Sequence, residues 1–210
     1  PYATPSAGNP SRQVARPAGA GLNVPAGFVA RLFADDLEHP RYLLGVPNGD
    51  VLLAESAAGR ITVLRDADGD GRAEQRAVLI DGLRRPHGLA LRPGWLYVAD
   101  TDRVWRVAYT PGDLRARAAP EPVTPAGALG PGSGHWTRNI AFHPDGSRFY
   151  VAIGSRSNID EEEPPRAAIL EFDADGERGP RVFATGLRNP VGIAFRPGSA
   201  ELWSVINERD

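Results

Sequence analysis

The stretch "GLRRPHGLALRPGWLYVADT" (Gly82–Thr101) decides the fold. An apolar segment behind His87 ends at a Pro-containing turn, and a second apolar segment with period-two alternation follows, so the stretch reads as the two strands of a β-hairpin. The same pattern recurs at "DLEHPRYLLGVPNGDVLLAES" (Asp36–Ser56) and "GLRNPVGIAFRPGSAELWSVIN" (Gly186–Asn207). A further copy, "SGHWTRNIAFHPDGSRFYVAIGS" (Ser133–Ser155), keeps the second half of the pattern and replaces its opening, with His135 standing where the others have Glu38, Arg84 and Arg188. The turns fall at Pro47, Pro93, Pro144 and Pro197.

Between the copies lie two further strand candidates, such as "GRITVLRD" then "QRAVLIDG", and "AAILEFDADG" then "PRVFATG". Antiparallel strands in groups of four, repeating every 40 to 50 residues or so, are the signature of a β-propeller blade. No capped helical pattern competes, and the turns "PNGD", "HPDGS" and "DADGDG" suit hairpins. The expectation is an all-β propeller in which residues 1–25, rich in Pro, Gly, Ala and Ser, form an extended leader. Residues 26–210 then form a partial propeller domain, with blades at about 40–80, 86–125 and 137–184 and the first two strands of another at 190–210. On this reading the chain is the N-terminal part of a larger propeller. The segment "GFVARLFAD" is expected as an outer strand whose blade is completed by C-terminal strands.

Composition removes several function classes. At 41% hydrophobic and 24% charged residues the chain is globular, and no apolar run approaches the roughly 20 residues of a membrane-spanning helix. All 24 basic residues are arginine, which excludes lysine Schiff-base chemistry within these residues. A net charge of −2 with dispersed arginines gives no basic stripe, so nucleic acid is not the expected partner. Without cysteine there are no disulfides, thiolate metal sites or cysteine nucleophiles.

Propeller ligand sites form at one end of the axis, from the loops that lead into the innermost strands. Those positions hold Glu38 and His39, Arg84 to His87, Gly134 to Asn139, and Arg188 with Asn189. His135 is either a general base or a loop histidine bonded to backbone, since imidazole serves both ends. Arg188 and Asn189 are either a carboxylate-recognising pair or the chemistry of an Asn-Pro turn. His143 is assigned to its hairpin turn, and His39 and His87 read as structural. "DADGDGRAE" (Asp66–Glu74) imitates a calcium loop, but its twelfth position is Ala77 where a bidentate glutamate is needed, so it reads as a polar hairpin loop. "NIDEEEPP" (Asn158–Pro165) reads as a solvated acidic insertion.

The motifs "PAGF" at Pro25, "HPRYLLGVPNGDVLLAES", "RDADGDGRAE", "GHWTRNIAFHPDGSRFYVAIGSRSN", "GLRNPVGIAF" and "ELWSVINERD" together resemble the pyrroloquinoline-quinone-dependent sugar dehydrogenases, in particular the sorbosone dehydrogenase branch. The resemblance runs from about Pro25 to Asp210 and implies a six-bladed propeller carrying the quinone and Ca2+ on its axis. It makes His135 the base that takes a sugar hydroxyl proton, and Arg188 and Asn189 the cofactor contacts. It places calcium on the backbone carbonyls of Glu208 and Arg209, where the soluble glucose dehydrogenase branch has Gly-Pro, and it implies a small-molecule sugar substrate, an electron acceptor and a periplasmic or secreted location. Two other readings compete: a calcium-dependent propeller lactonase recruiting Glu38 and Asn139, and a non-catalytic propeller that binds through its loops.

Overall fold

A computed structural model describes residues 12, 14–15 and 21–208. Most of the expected leader, and Arg209 of the expected calcium pair, lie outside the described residues. Every regular element among them is a β-strand, and no helix is long and apolar enough to cross a membrane.

The strands form three four-stranded antiparallel sheets and one two-stranded sheet, each in sequence order. The first holds β1 (Pro40–Gly45), β2 (Val51–Glu55), β3 (Arg60–Arg65) and β4 (Gln75–Ile80). The second holds β5 (Gly88–Arg92), β6 (Trp95–Ala99), β7 (Val104–Ala108) and the short β8 (Glu121–Pro122), and the third β9 (Arg138–Phe142), β10 (Arg148–Ile153), β11 (Ala168–Asp173) and β12 (Arg181–Thr185). The pair β13 (Pro190–Phe195) and β14 (Leu202–Ile206) follows. Pro120, Pro122 and Pro125 keep β8 short, because proline has no N–H for a ladder and is tolerated only at an edge.

Period-two alternation explains how the sheets stack into a propeller. On β6, Leu96 and Val98 enter the core shared with the first sheet, while Tyr97 and Ala99 enter the core shared with the third. On β10, Phe149, Val151 and Ile153 face the second sheet, and Tyr150 and Ala152 face the β13–β14 pair. A strand buried on both faces must be apolar at every position, which is why "WLYVA" and "RFYVAI" are nearly continuous apolar runs. The outward faces of the end sheets leave Leu43, Trp203 and Val205 more than 60% exposed, at 64%, 64% and 69%.

The innermost strands β1, β5, β9 and β13 lie side by side. A Cβ on Gly88 of β5 would stand 2.6 Å from the Arg138 carbonyl oxygen and 2.8 Å from the Ile140 nitrogen of β9, so only glycine permits that approach. The Asn139 amide then donates to the Val191 carbonyl at 2.9 Å, tying β9 to β13.

"GFVARLFAD" pairs with no strand among the described residues. It runs as extended chain along the β3–β4 hairpin, where Phe33 O accepts from Ala73 N at 2.8 Å and Arg31 donates to Asp70 O at 2.6 Å. Phe28 and Val29 remain exposed, so the apolar character of this segment finds no ladder among the described residues.

Candidate active site

Strand register decides which loops share an end. Pro40 pairs with Glu55, Gly88 with Ala99, Arg138 with Ile153 and Pro190 with Ile206, so each pre-strand loop lies beside the loop after the second strand of its own sheet. Backbone bonds knit these loops together. Ser56 N donates to His39 O, Thr101 N to Arg84 O, His135 N to Ser155 O, Ser155 N to Arg188 O, and Asn207 N to Asn189 O.

Within this ring the structure brings His135, Arg188 and Asn189 together around Gly154 and Ser155. A Cβ on Gly154 would meet His135 Cβ at 2.5 Å and Asn189 Oδ1 at 2.7 Å, so the close packing of histidine against asparagine requires glycine between them.

The hydrogen-bond network fixes the tautomer of His135. Ser155 Oγ donates its one proton to Ser157 O at 2.6 Å and therefore only accepts from its other neighbours. The Ser155 carbonyl already receives His135 N at 3.0 Å and Arg166 Nη2 at 2.6 Å. His135 Nδ1 lies 2.9 Å from Ser155 Oγ and 3.0 Å from Ser155 O, two acceptors, so it carries the ring proton. Nε2 is left with the basic lone pair. Burial lowers the His135 pKa from its ordinary value of 6.5, and the nearby guanidiniums of Arg188 and Arg166 lower it further against the opposing Ser155 backbone bond and Glu162 charge. The ring is neutral at pH 7, the form a general base requires.

Two buried arginines hold the 131–138 loop from behind. Arg138, fully buried, donates to the carbonyls of His135, Thr137 and Pro131, and Arg166 donates to those of Pro131, Ser133 and Ser155. Burial and the neighbouring Arg166 push Arg138 down to about 9.

Arg188 spends three of its N–H groups on neighbours: Nε on Asn158 O (3.1 Å), Nη2 on Asn158 Oδ1 (2.8 Å) and Nη1 on Asn207 O (2.8 Å). A guanidinium has five N–H donors, so two remain. Asn189 is 7% exposed and its Oδ1 is buried without a partner. A buried unpaired carbonyl oxygen costs about 1–3 kcal/mol, and such groups mark places built for something else. Ser155, Arg188 and Glu208 border a cavity of ≈ 990 Å³ that is also lined by the acidic run Asp160 to Glu163.

The remaining sequence candidates fall elsewhere. His143 pairs with Asp145 in its hairpin turn at 2.7 Å. His87 is buried, with its ring against Tyr42 and Trp136. Asn139 is spent on the Val191 carbonyl, and Glu38 is exposed with its backbone N–H on Glu55. Asp66, Asp68, Asp70 and Glu74 do bring carboxylate oxygens within 4.8 Å of one another. That loop joins β3 to β4 at Arg65 and Gln75, the end of the sheet opposite Glu55 and Pro40, and so it is remote from His135.

Residues 22–210 match the TrAA12-like family. The chain belongs to that family. Among solved structures it is similar to the quinone-binding domain of a pyranose dehydrogenase from Coprinopsis cinerea in its holo form, at 25% identity and a TM-score of 0.71, over 83% of this chain and 45% of that one. A calcium structure of the Carbohydrate-Active Enzymes Family AA12 protein of Trichoderma reesei gives 22% and 0.71, over 86% and 48%. The quinone-bound aldose sugar dehydrogenase of Streptomyces coelicolor gives 23% and 0.61, over 84% and 59%, and at this identity the likeness concerns the fold. Among curated proteins an uncharacterised protein of Borreliella burgdorferi is 23% identical over 90% of this chain and 50% of its own length, and one of Synechocystis 24% over 81% and 52%. The TrAA12-like chain thus spans about half the length of the curated relatives it matches.

Ser155, Arg166 and Arg138 were not singled out from the sequence. A signal for Ser155 is present: within two residues of the end of each second strand stands a polar residue, Ser56, Thr101, Ser155 or Asn207, and each of these uses its backbone N–H to bind a pre-strand loop.

Proposed function

We propose that the protein is part of a quinoprotein oxidoreductase that oxidises a sugar, at a site where His135 is the base. The observation that carries this reading is the forced tautomer: a histidine with Nδ1 committed to Ser155 and a free Nε2, packed beside Asn189 and near Arg188.

Pyrroloquinoline quinone, when bound, supplies a two-electron acceptor for the hydride of the sugar carbon. The residues present fit it. Arg188 would offer its two remaining N–H groups to the quinone's carboxylates or carbonyl oxygens, and Asn189, packed with His135 against Gly154, would stand beside it. His135 Nε2 accepts the hydroxyl proton as the C–H bond breaks and the C=O bond forms, while burial, and then Arg188 and Arg166, keep the ring neutral beforehand. Calcium would sit on the backbone carbonyls of Glu208 and Arg209. Asp160, Glu161 and Glu163, which line the same cavity as Glu208, would add the oxygen-rich, negative surroundings that a hard cation favours. The sorbosone-type substrate and a periplasmic or secreted location follow from the resemblance of the motifs.

The test is reconstitution of the full-length protein with the quinone and Ca2+, and measurement of sugar-dependent reduction of an artificial electron acceptor across a panel of aldoses and sorbosone. Turnover that requires both additions supports the reading; hydrolysis of lactones without the quinone would replace it.

A further inference from the structure

Trp136 stands beside His135 but faces a different set of neighbours. Arg85 Cζ lies 4.0 Å from the centre of its ring and Arg41 Cζ 5.5 Å, while His87 meets the ring edge-on with centroids 5.9 Å apart. Each arginine is aimed there by a backbone irregularity. Arg41 is the extra residue of a bulge in β1, where the register shifts between Pro40 and Tyr42, and bulges re-aim side chains. Arg85 has a φ of 53°, a left-handed conformation that a long side chain adopts only where the surroundings enforce it.

Comparison with the other tryptophan-stacked arginines makes the pair distinctive. Arg103 lies over Trp105 and pairs with Asp102 at 2.9 Å; Arg106 lies over Trp95 and pairs with Glu121 at 3.0 Å. On Trp136 there are two guanidiniums and, among the described residues, no carboxylate within ion-pair reach of either. Arg41 instead repels Arg85. Below them His87 is 6% exposed and its Nδ1 lacks a partner, a further polar atom without a protein neighbour. Two like charges held over one ring await an anion. Guanidinium forks bind carboxylates bidentately, and an aromatic surface keeps the fork planar and partly dehydrated.

We propose that Arg41 and Arg85, held on Trp136, form a subsite for the carboxylate of an acidic sugar of the hexuronate class. The choice of a sugar acid over other small carboxylates rests on the function proposed for His135; the anion preference rests on the arginines alone.

Calorimetric titration of the full-length protein with D-glucuronate and with D-glucose, before and after loading with the quinone, tests this without requiring turnover. Wild-type protein is expected to bind glucuronate about tenfold or more tightly than glucose, and Arg41→Gln or Arg85→Gln each to weaken glucuronate binding about tenfold, the scale of a lost charged hydrogen bond, with glucose and quinone binding unchanged. Both side chains are exposed, so the variants should fold, and an unaltered circular dichroism melt verifies it. Equal affinity of the wild type for the two sugars would overturn the proposal, as would a loss of quinone affinity in either variant, which would assign the pair to the cofactor. Glucuronate binding that depends on the arginines, in a protein that oxidises no sugar, would keep the subsite and remove the dehydrogenase reading.

Discussion

The two ends of the sheets treat polar side chains differently. At the end carrying His135, buried side chains bind backbone far away in sequence, as Arg166 binds Pro131 and Asn139 binds Val191, and some polar atoms are left over. At the opposite end the Asp66–Glu74 loop binds itself: Asp66 accepts from Gly69 and Gly71, Asp68 from Asp70, Asp70 from Arg72, and Glu74 from Ala67. A self-satisfied turn shapes a hairpin and asks nothing of a ligand. A ring of loops that leaves Asn189 Oδ1 unpaired and His135 Nε2 basic stores binding capacity, at a cost in stability that the rest of the fold must offset.

The sharpest way to break this comparison is His135→Ala. Turnover of the reconstituted full-length protein should fall about 10²- to 10⁴-fold while quinone affinity stays within a few-fold, because removal of a general base acts on the chemical step. Since the wild-type ring must be neutral to accept a proton, kcat/KM should rise with pH through a midpoint below the ordinary histidine value of 6.5. A pH profile that is flat below that value, or turnover retained in the variant, removes the base.

Next in size is the buried carboxylate of the first sheet. Glu55 is fully buried and accepts from Arg60, from Thr62 and from Glu38 N. Burial alone would raise its pKa, but these donors outweigh it and bring it from 4.5 to about 2. Glu55→Ala should cost about 3–4 kcal/mol in urea unfolding, as it strands a hydrogen-bonded charge network. The wild-type contribution is a depressed carboxylate's: full above the unfolded value of 4.5 and lost as pH falls towards about 2.

His87 loses stability on acidification in the same direction as Glu55 but in a higher pH window, because the fold favours its neutral form. Burial, then Arg41, lowers it from 6.5 to about 4, so between those values the unfolded chain binds the proton and the folded one does not. Stability should therefore be undiminished by this group above pH 6.5 and should decline as pH drops towards 4, by on the order of 3 kcal/mol at the bottom of the window. His87→Phe should flatten that part of the pH–stability curve.

Much of this geometry was legible in the sequence, for a physical reason. A blade is a repeat, and aligning the repeats puts His135 and Arg188 at one position of the motif; the fold then delivers equal positions to one end of the axis. What the repeat does not encode stayed hidden. Arg138 and Arg166 act on carbonyls of the 131–138 loop and its neighbours, and no residue pattern announces a carbonyl. Arg41 and Arg85 are aimed by a bulge and a left-handed φ, local departures from the regular strand on which alternation arguments depend. "GFVARLFAD" shows the converse: an apolar run reports a wish for burial, and strand pairing needs a neighbour with free N–H and C=O groups, which the described residues do not give it.

The smallest effect belongs to the opposite end. Asp68→Ala removes one exposed turn bond, Asp70 N to Asp68 Oδ1 at 3.1 Å, and exposed substitutions of this kind stay within about 0.5 kcal/mol. Turnover should be unchanged, since the loop leaves β3 at the end away from His135. Four carboxylates within 4.8 Å repel one another, so millimolar Ca2+ offers a direct check. The melting temperature of the wild type should shift no more than that of Asp66→Asn on adding Ca2+. A larger wild-type shift would mean that the hydrogen bonds to Gly69 and Gly71 coexist with a cation, and the difference between the two ends would become one of which ligand each receives.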